Sequence, residues 1–176
     1  MEDNLKFKAL VHYICNKCSG SDRLGATKLN KVLWFVDSLM FKQRGISLTG
    51  GRYKKLQHGP VPTDILLILA ELQRDFDIAI KENDYFGMKK REFISLRDPV
   101  VDMFSVDELK FVDAVIGFVC NGHTARSISE LTHDAIWKAA SLGEEIPLYA
   151  VLAAEEAPLT KDDLDWANRI LEGSSA

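Results

Sequence analysis

The sequence predicts a mainly helical α+β domain, with about six helices arranged around a central helix at about 26–44 and one small β-hairpin at about 78–96. Three observations carry this prediction. Apolar residues recur at helical spacing, most strongly in Leu29, Val32, Leu33, Val36, Leu39 and Met40, which fall at i, i+3, i+4, i+7, i+10 and i+11. Two short segments, Asp77–Lys81 and Arg91–Leu96, alternate in period two instead. Apolar residues make up 47% of the chain and charged residues 27%, the proportions of an ordinary globular domain. One domain over residues 1–172 is expected, with a disordered tail at 173–176. A chain of this size buries roughly 70% of its unfolded surface.

Phe7, Leu10, Val11 and Ile14 share one face of a first helix, which Ser19-Gly20-Ser21-Asp22 breaks. The central helix starts near Ala26 and ends at Gly45, since glycine takes the left-handed C′ conformation without a Cβ penalty. A second line on that helix, Asn30, Trp34, Asp37 and Phe41, runs beside the apolar stripe and mixes rings with an amide and a carboxylate. An extended basic run follows (Arg52, Lys54, Lys55, His58), with a turn signal at Thr49-Gly50-Gly51 and a close at Gly59-Pro60-Val61-Pro62. Pro62 suits the first turn of the next helix, where a missing N–H costs nothing. That helix carries Ile65, Leu66, Ile68, Leu69 and Leu72, apolar nearly all round, and is expected to be buried on several sides. The hairpin then needs a longish loop at Asn83–Gly87. Ser105 and Glu108 have capping-box spacing, opening a helix through Leu109, Val112, Val115, Ile116 and Val119 that stops at Asn121-Gly122. A further helix covers about Thr124–Thr132, with Ala135–Ala140 continuing it. A last one starts at Thr160 and ends at Gly173.

Composition narrows the function classes. The net charge of −4 argues against a dedicated nucleic-acid binder. No run approaches the roughly 18 apolar residues of a membrane span. The N-terminus MEDNLKFK has neither the apolar core nor the cleavage site of a signal peptide. Three cysteines make no disulfide framework, so a cytoplasmic protein with reduced thiols is expected. The acidic stretch Gly143–Pro158 (Glu144, Glu145, Glu155, Glu156) reads first as solvated surface and second as a docking edge for a basic partner.

Candidate chemistry is sparse. Cys15-x-x-Cys18 with Cys120-x-x-His123 spells a Cys3His set, and tetrahedral zinc takes such ligands at about 2.0–2.3 Å. The pairs lie far apart at helix ends, where a cysteine is more often a small buried hydrophobe. No metal or cofactor is therefore expected. His133-Asp134 beside Cys120 or Cys15 has the residue types of a nucleophile and its base, but no signature surrounds either thiol. Gly50-Gly51 lacks the context of a phosphate loop. Catalysis is not expected. A DNA-binding, winged-helix-like regulator is the alternative, with Lys89, Lys90 and Arg91 on the hairpin reaching phosphates. No predicted helix presents a base-reading first turn.

Protein binding fits better. Trp34 and Tyr53 are residue types that carry interface energy, since one end buries apolar area and the other hydrogen-bonds, while Trp34 fits a core position equally well and Asp37 a simple loop tie. Asp37 has Arg52, Lys54 or His58 as expected partners, an ion pair that would fix the extended run against the central helix. The run Lys28-Leu29-Asn30-Lys31-Val32-Leu33-Trp34-Phe35-Val36-Asp37, then Tyr53, then His58-Gly59-Pro60-Val61, resembles the Panacea, or SocA-like, antitoxin domain family of bacteria and phages. Members typically read K-L-Q-K-L-L-Y-F-A-D before a spacer and G-P-V. This chain departs with Asn30 for Gln and Trp34 for Tyr. The likeness is good over about residues 5 to 70 and weaker to Ile146-Pro147, with Trp137 similar to a later landmark.

The resemblance implies a non-catalytic module that binds a cognate toxin protein and neutralises it, in one mode by presenting it to a bacterial protease. Its partner-binding residues are then expected at Lys28, Lys31, Trp34, Asp37, Tyr53, His58, Gly59 and Pro60. Oligomeric state stays open, a homo-oligomer included. Replacing Trp34 and Asp37 by alanine is expected to abolish neutralisation while leaving unfolding close to wild type.

Overall fold

The computed structural model describes residues 2–153 apart from Phe86 and Gly87, so the helix expected from Thr160 and the tail at 173–176 lie outside the described residues. Helix α1 (Glu2–Lys17) and helix α2 (Ala26–Arg44) follow from the periodicity of their apolar residues. Gly45 closes α2 in the left-handed conformation, φ 71°, and its N–H donates to the Phe41 carbonyl. Every residue from Lys31 to Ser38 is buried, because α2 is packed on several sides: against α4 (Val106–Gly122), strand β2 (Gly59–Pro62), α5 (Ala125–Leu131) and a 3-10 helix at Leu148–Leu152. Burying each apolar side chain of this kind contributes about 1.5–3 kcal/mol, which makes α2 the axis of the core. That core is one cluster running from Phe7 to Val151.

Strand β1 (Tyr53–Leu56) forms a tight hairpin with β2, in register from Tyr53↔Pro62 to Leu56↔Gly59, so Gln57 and His58 are its turn. On its other side β1 pairs with β5 (Glu145–Ile146), giving a sheet ordered β2-β1-β5. The extended basic run is therefore the middle of a three-stranded sheet, an addition to the one hairpin expected. Pro60 and Pro62 lie on its edge strand, where a missing N–H breaks no ladder. Pro62 thus ends a strand instead of opening a helix, and α3 begins at Ile65 (Ile65–Arg74).

The stripe buried on α3 is Ile65, Ile68, Leu69 and Leu72, at i, i+3, i+4 and i+7. Leu66 and Leu67 stay 67% and 57% exposed. The expectation of burial on several sides is corrected: one face of α3 meets the core and the other carries leucines into solvent. Strands β3 (Ile78–Tyr85) and β4 (Met88–Ser95) form the expected hairpin, with pairing carried to Tyr85↔Met88, beyond the loop anticipated at Asn83–Gly87.

Ser105 accepts from the Glu108 N–H at 3.2 Å and Glu108 accepts from the Ser105 N–H at 2.7 Å, the reciprocal cap of α4. Thr124 and Ser127 cap α5 in the same way. Asp134 accepts from the Trp137 N–H at 2.8 Å and starts a separate short helix, α6 (Ala135–Ala139), where a continuation of α5 was expected.

Candidate functional site

Asp37 lies on α2 facing the start of the β1 hairpin and is fully enclosed, at 0% exposure. Its Oδ1 accepts from the Thr49 N–H at 2.9 Å, and its Oδ2 accepts from the Thr49 hydroxyl at 2.6 Å. The Tyr53 hydroxyl lies 2.8 Å from Oδ2 and 2.8 Å from the Leu33 carbonyl. A hydroxyl has one proton to donate. The one Tyr53 proton therefore serves two acceptors, Asp37 Oδ2 and the Leu33 carbonyl. Burial pushes the Asp37 carboxyl above its ordinary range, against the pull of its Thr49 and Tyr53 hydrogen bonds. Burial likewise raises the Tyr53 phenol, and the Asp37 charge adds to this.

Trp34 packs its ring edge-on to Tyr53, with centroids 5.1 Å apart. The expected ion pair of Asp37 with Arg52, Lys54 or His58 is corrected to hydrogen bonds from Thr49 and Tyr53. Gly51 follows from the same geometry: a Cβ there would fall 3.0 Å from Asp37 Oδ2 and 3.3 Å from Phe7.

Nearly two turns back along α2 from Asp37, Lys31 is 1% exposed. Its ammonium lies 3.4 Å from the Pro60 carbonyl, a long bond for a group with three donors. Burial drives its pKa from 10.5 to about 7. Gly59 closes over it with φ 108°, and a Cβ at that position would meet Lys31 Nζ at 2.1 Å and Thr132 Oγ1 at 2.5 Å. Glycine is required there by both conformation and space.

Next to this cluster the His133 ring stacks on Trp137, centroids 3.8 Å apart, and its buried Nε2 has no hydrogen-bond partner among the described residues. Trp137 Nε1 donates to the Leu56 carbonyl at 3.1 Å, and the Lys55 ammonium sits 4.1 Å over the indole. These contacts clamp the β1 end of the hairpin to α6.

The expected partner-binding residues therefore separate into two sets. Lys31, Trp34, Asp37, Tyr53, Gly59 and Pro60 are interior. Lys28 is half-buried and donates to the Cys120 carbonyl at 3.0 Å, tying α2 to the C-terminal end of α4, where the helix dipole favours a cation. His58 alone of the eight is exposed, at the hairpin turn. Interior side chains meet another protein only if the core opens. In the folded chain they set the position of the hairpin, and their burial predicts that alanine at Trp34 or Asp37 lowers stability as well.

What the hairpin borders is a groove of about 490 Å³. Ala26 and Asn30 of α2, Leu56 and Val61 of the hairpin, and Ile65 and Leu66 of α3 line it, together with Arg91 and Leu142. Leu66 was legible as a leucine in excess of one stripe. Arg91 and Leu142 gave no sequence signal of this placement.

The metal set is not assembled. Cys18 and Cys120 share a surface cleft, but His123 Nδ1 faces Ser127 Oγ at 3.3 Å and its ring packs edge-on to Phe118. Among the described residues no group of three or more His, Cys, Asp or Glu side chains is arranged to hold a metal ion. The Cys15 thiol is wholly buried and pushed up to about 12, which keeps it a thiol and a poor nucleophile. Asp134 is engaged as a helix cap and His133 in its ring stack. Hairpin cations are engaged as well: Arg91 and Lys89 reach Glu82 at 3.3 and 3.7 Å, and Lys90 donates to the Asp22 carbonyl. Glu144 and Glu145 are exposed, while Glu155 and Glu156 lie outside the described residues.

No helix among the described residues is long and apolar enough to cross a membrane. A family model for the antitoxin SocA-like, Panacea domain matches residues 29–138, which span α2 through α6 and contain both the interior cluster and most of the groove. No curated protein and no solved structure matches the chain.

Proposed function

The chain belongs to the antitoxin SocA-like, Panacea domain family, and on that premise we propose that it is the antitoxin of a toxin–antitoxin pair, a binding module that neutralises a toxin protein encoded beside it. The observation that supports this most is the division between interior and rim. The residues that carry the family resemblance brace a hairpin from inside. Among the side chains that this hairpin and α3 offer to solvent beside the groove are Leu56, His58 and Leu66. Exposed leucines rimmed by polar groups mark protein-binding surfaces.

The reading is of binding and not of catalysis, in the cytoplasm, with the bound toxin then handed to a bacterial protease. A DNA-binding role has less support, because the hairpin cations are taken up by Glu82 and by the Asp22 carbonyl. The test is co-expression: each flanking open reading frame is induced alone and with this chain. One of them should arrest growth alone and be rescued by this chain. If none arrests growth, or the arrest persists with soluble antitoxin present, the proposal is wrong. Rescue that disappears when the host protease gene is deleted would support the adaptor step.

A further inference from the structure

The lining of the groove is one-sided in charge. Its ionisable residues are Lys31, Lys54, His58 and Arg91, with no Asp or Glu among them. The chain as a whole has 26 acidic against 22 basic residues, so a lining with basic residues and no carboxylate runs against the composition. Glu145 lies opposite Lys54 in the β1–β5 register, yet among the described residues no ion pair joins them. Arg91 is held by Glu82, which is not part of the lining. A cleft lined by one sign of charge over apolar walls concentrates ligands of the opposite sign. On the floor, the Lys31 ammonium has one long bond among the described residues, to the Pro60 carbonyl.

The apolar part of the lining is aliphatic, from Leu56, Val61, Ile65, Leu66 and Leu142, and Thr27, Asn30, Gln57 and Thr63 add neutral polar groups. No Phe, Tyr or Trp lines it, so unpaired bases would find no stacking platform. A phosphate backbone would use the cations and leave the leucines wet. A polypeptide with apolar side chains along one line and carboxylates flanking it uses both.

We infer that this groove takes an acidic amphipathic segment of the toxin, whose leucine-like side chains fill the aliphatic floor while its Asp or Glu side chains reach Lys54, His58 and Arg91. The inference rests on the antitoxin reading and names the chemistry of the partner at that site. Helix-in-groove binding of this kind is anchored by side chains at i, i+3 or i+4 and i+7. Complementary charges set the register and speed the encounter.

The test uses the full chain and the flanking-gene product that arrests growth. Lys54→Glu with Arg91→Glu should weaken binding of that protein at least about tenfold by calorimetry and abolish growth rescue. Lysine at the toxin's acidic positions should restore binding to this variant. Lys110→Glu on α4, which changes charge away from the groove, should bind as wild type. Leu66→Asp, at an exposed position, should give the same loss without disturbing the fold. Binding within about twofold of wild type by both groove variants, with circular dichroism and unfolding midpoints preserved, overturns the inference while leaving the antitoxin reading intact. Competition by a short DNA duplex for the same groove also overturns it, in favour of nucleic acid. Absence of any growth-arresting neighbour removes the premise itself.

Discussion

Replacing Lys31 by methionine should stabilise this protein, and by an amount that depends on pH. The Lys31 ammonium is enclosed beneath Gly59, with the Pro60 carbonyl 3.4 Å away. A fall from 10.5 to about 7 in its pKa corresponds to a folding penalty of about 5 kcal/mol, at about 1.4 kcal/mol for each tenfold change in proton affinity. The sign follows from proton counting. Between about pH 7 and 10.5 the unfolded chain holds this proton and the folded chain does not, so stability rises with pH across that window. Below about pH 7 the penalty is present in full, and above 10.5 it is gone.

Methionine keeps an unbranched stem of similar length and removes the charge. Allowing for local relaxation and the lost bond, the variant should exceed wild type by at least about 2 kcal/mol at pH 6–7, with the gap closing towards zero near pH 10. Urea unfolding of both proteins at each pH measures it, and subtraction cancels groups titrating elsewhere. A gap that does not change with pH, or a less stable variant at pH 6, would refute the reasoning.

Gly59→Ala should lower stability by about 2–4 kcal/mol, seen as a fall in melting temperature. The new Cβ meets Lys31 Nζ at 2.1 Å and strains a backbone at φ 108°. Trp34→Ala should cost about 3–5 kcal/mol, since the ring is 4% exposed and packed on Tyr53. Any loss of toxin neutralisation would then follow the loss of fold, recovering at lower temperature. Ser105→Ala should cost about 1 kcal/mol in urea unfolding through loss of the α4 cap, with no effect on toxin binding.

Much of the helical framework was legible because its signals are local. Spacing located α2, the left-handed preference of glycine ended it at Gly45, and Ser105 with Glu108 announced α4. The β3–β4 hairpin showed itself by alternation. The three-stranded sheet did not, because β1 and β2 are four residues each and β5 is two, too short to alternate visibly. Pro60 and Pro62 further disguise β2, since proline suits only an edge.

The site was legible as a cluster but not as an interior. Lysine and aspartate are almost never fully buried without a charged partner, so Lys31 read as a partner contact and Asp37 as one half of an ion pair with Arg52, Lys54 or His58. Asp37 instead takes its bonds from Thr49 and Tyr53, neutral donors no more suggestive in sequence than their neighbours. Lining residues such as Arg91 and Leu142 reach the groove only through the tertiary fold.

Hydrogen–deuterium exchange on the free chain and on its complex with the flanking-gene toxin measures the division most directly. Residues 31–38 should be protected already in the free protein and change little on binding. New protection should appear over residues 54–67 and around Arg91. Protection gained instead along α4, with the hairpin and α3 unchanged, would contradict the assignment of the binding surface.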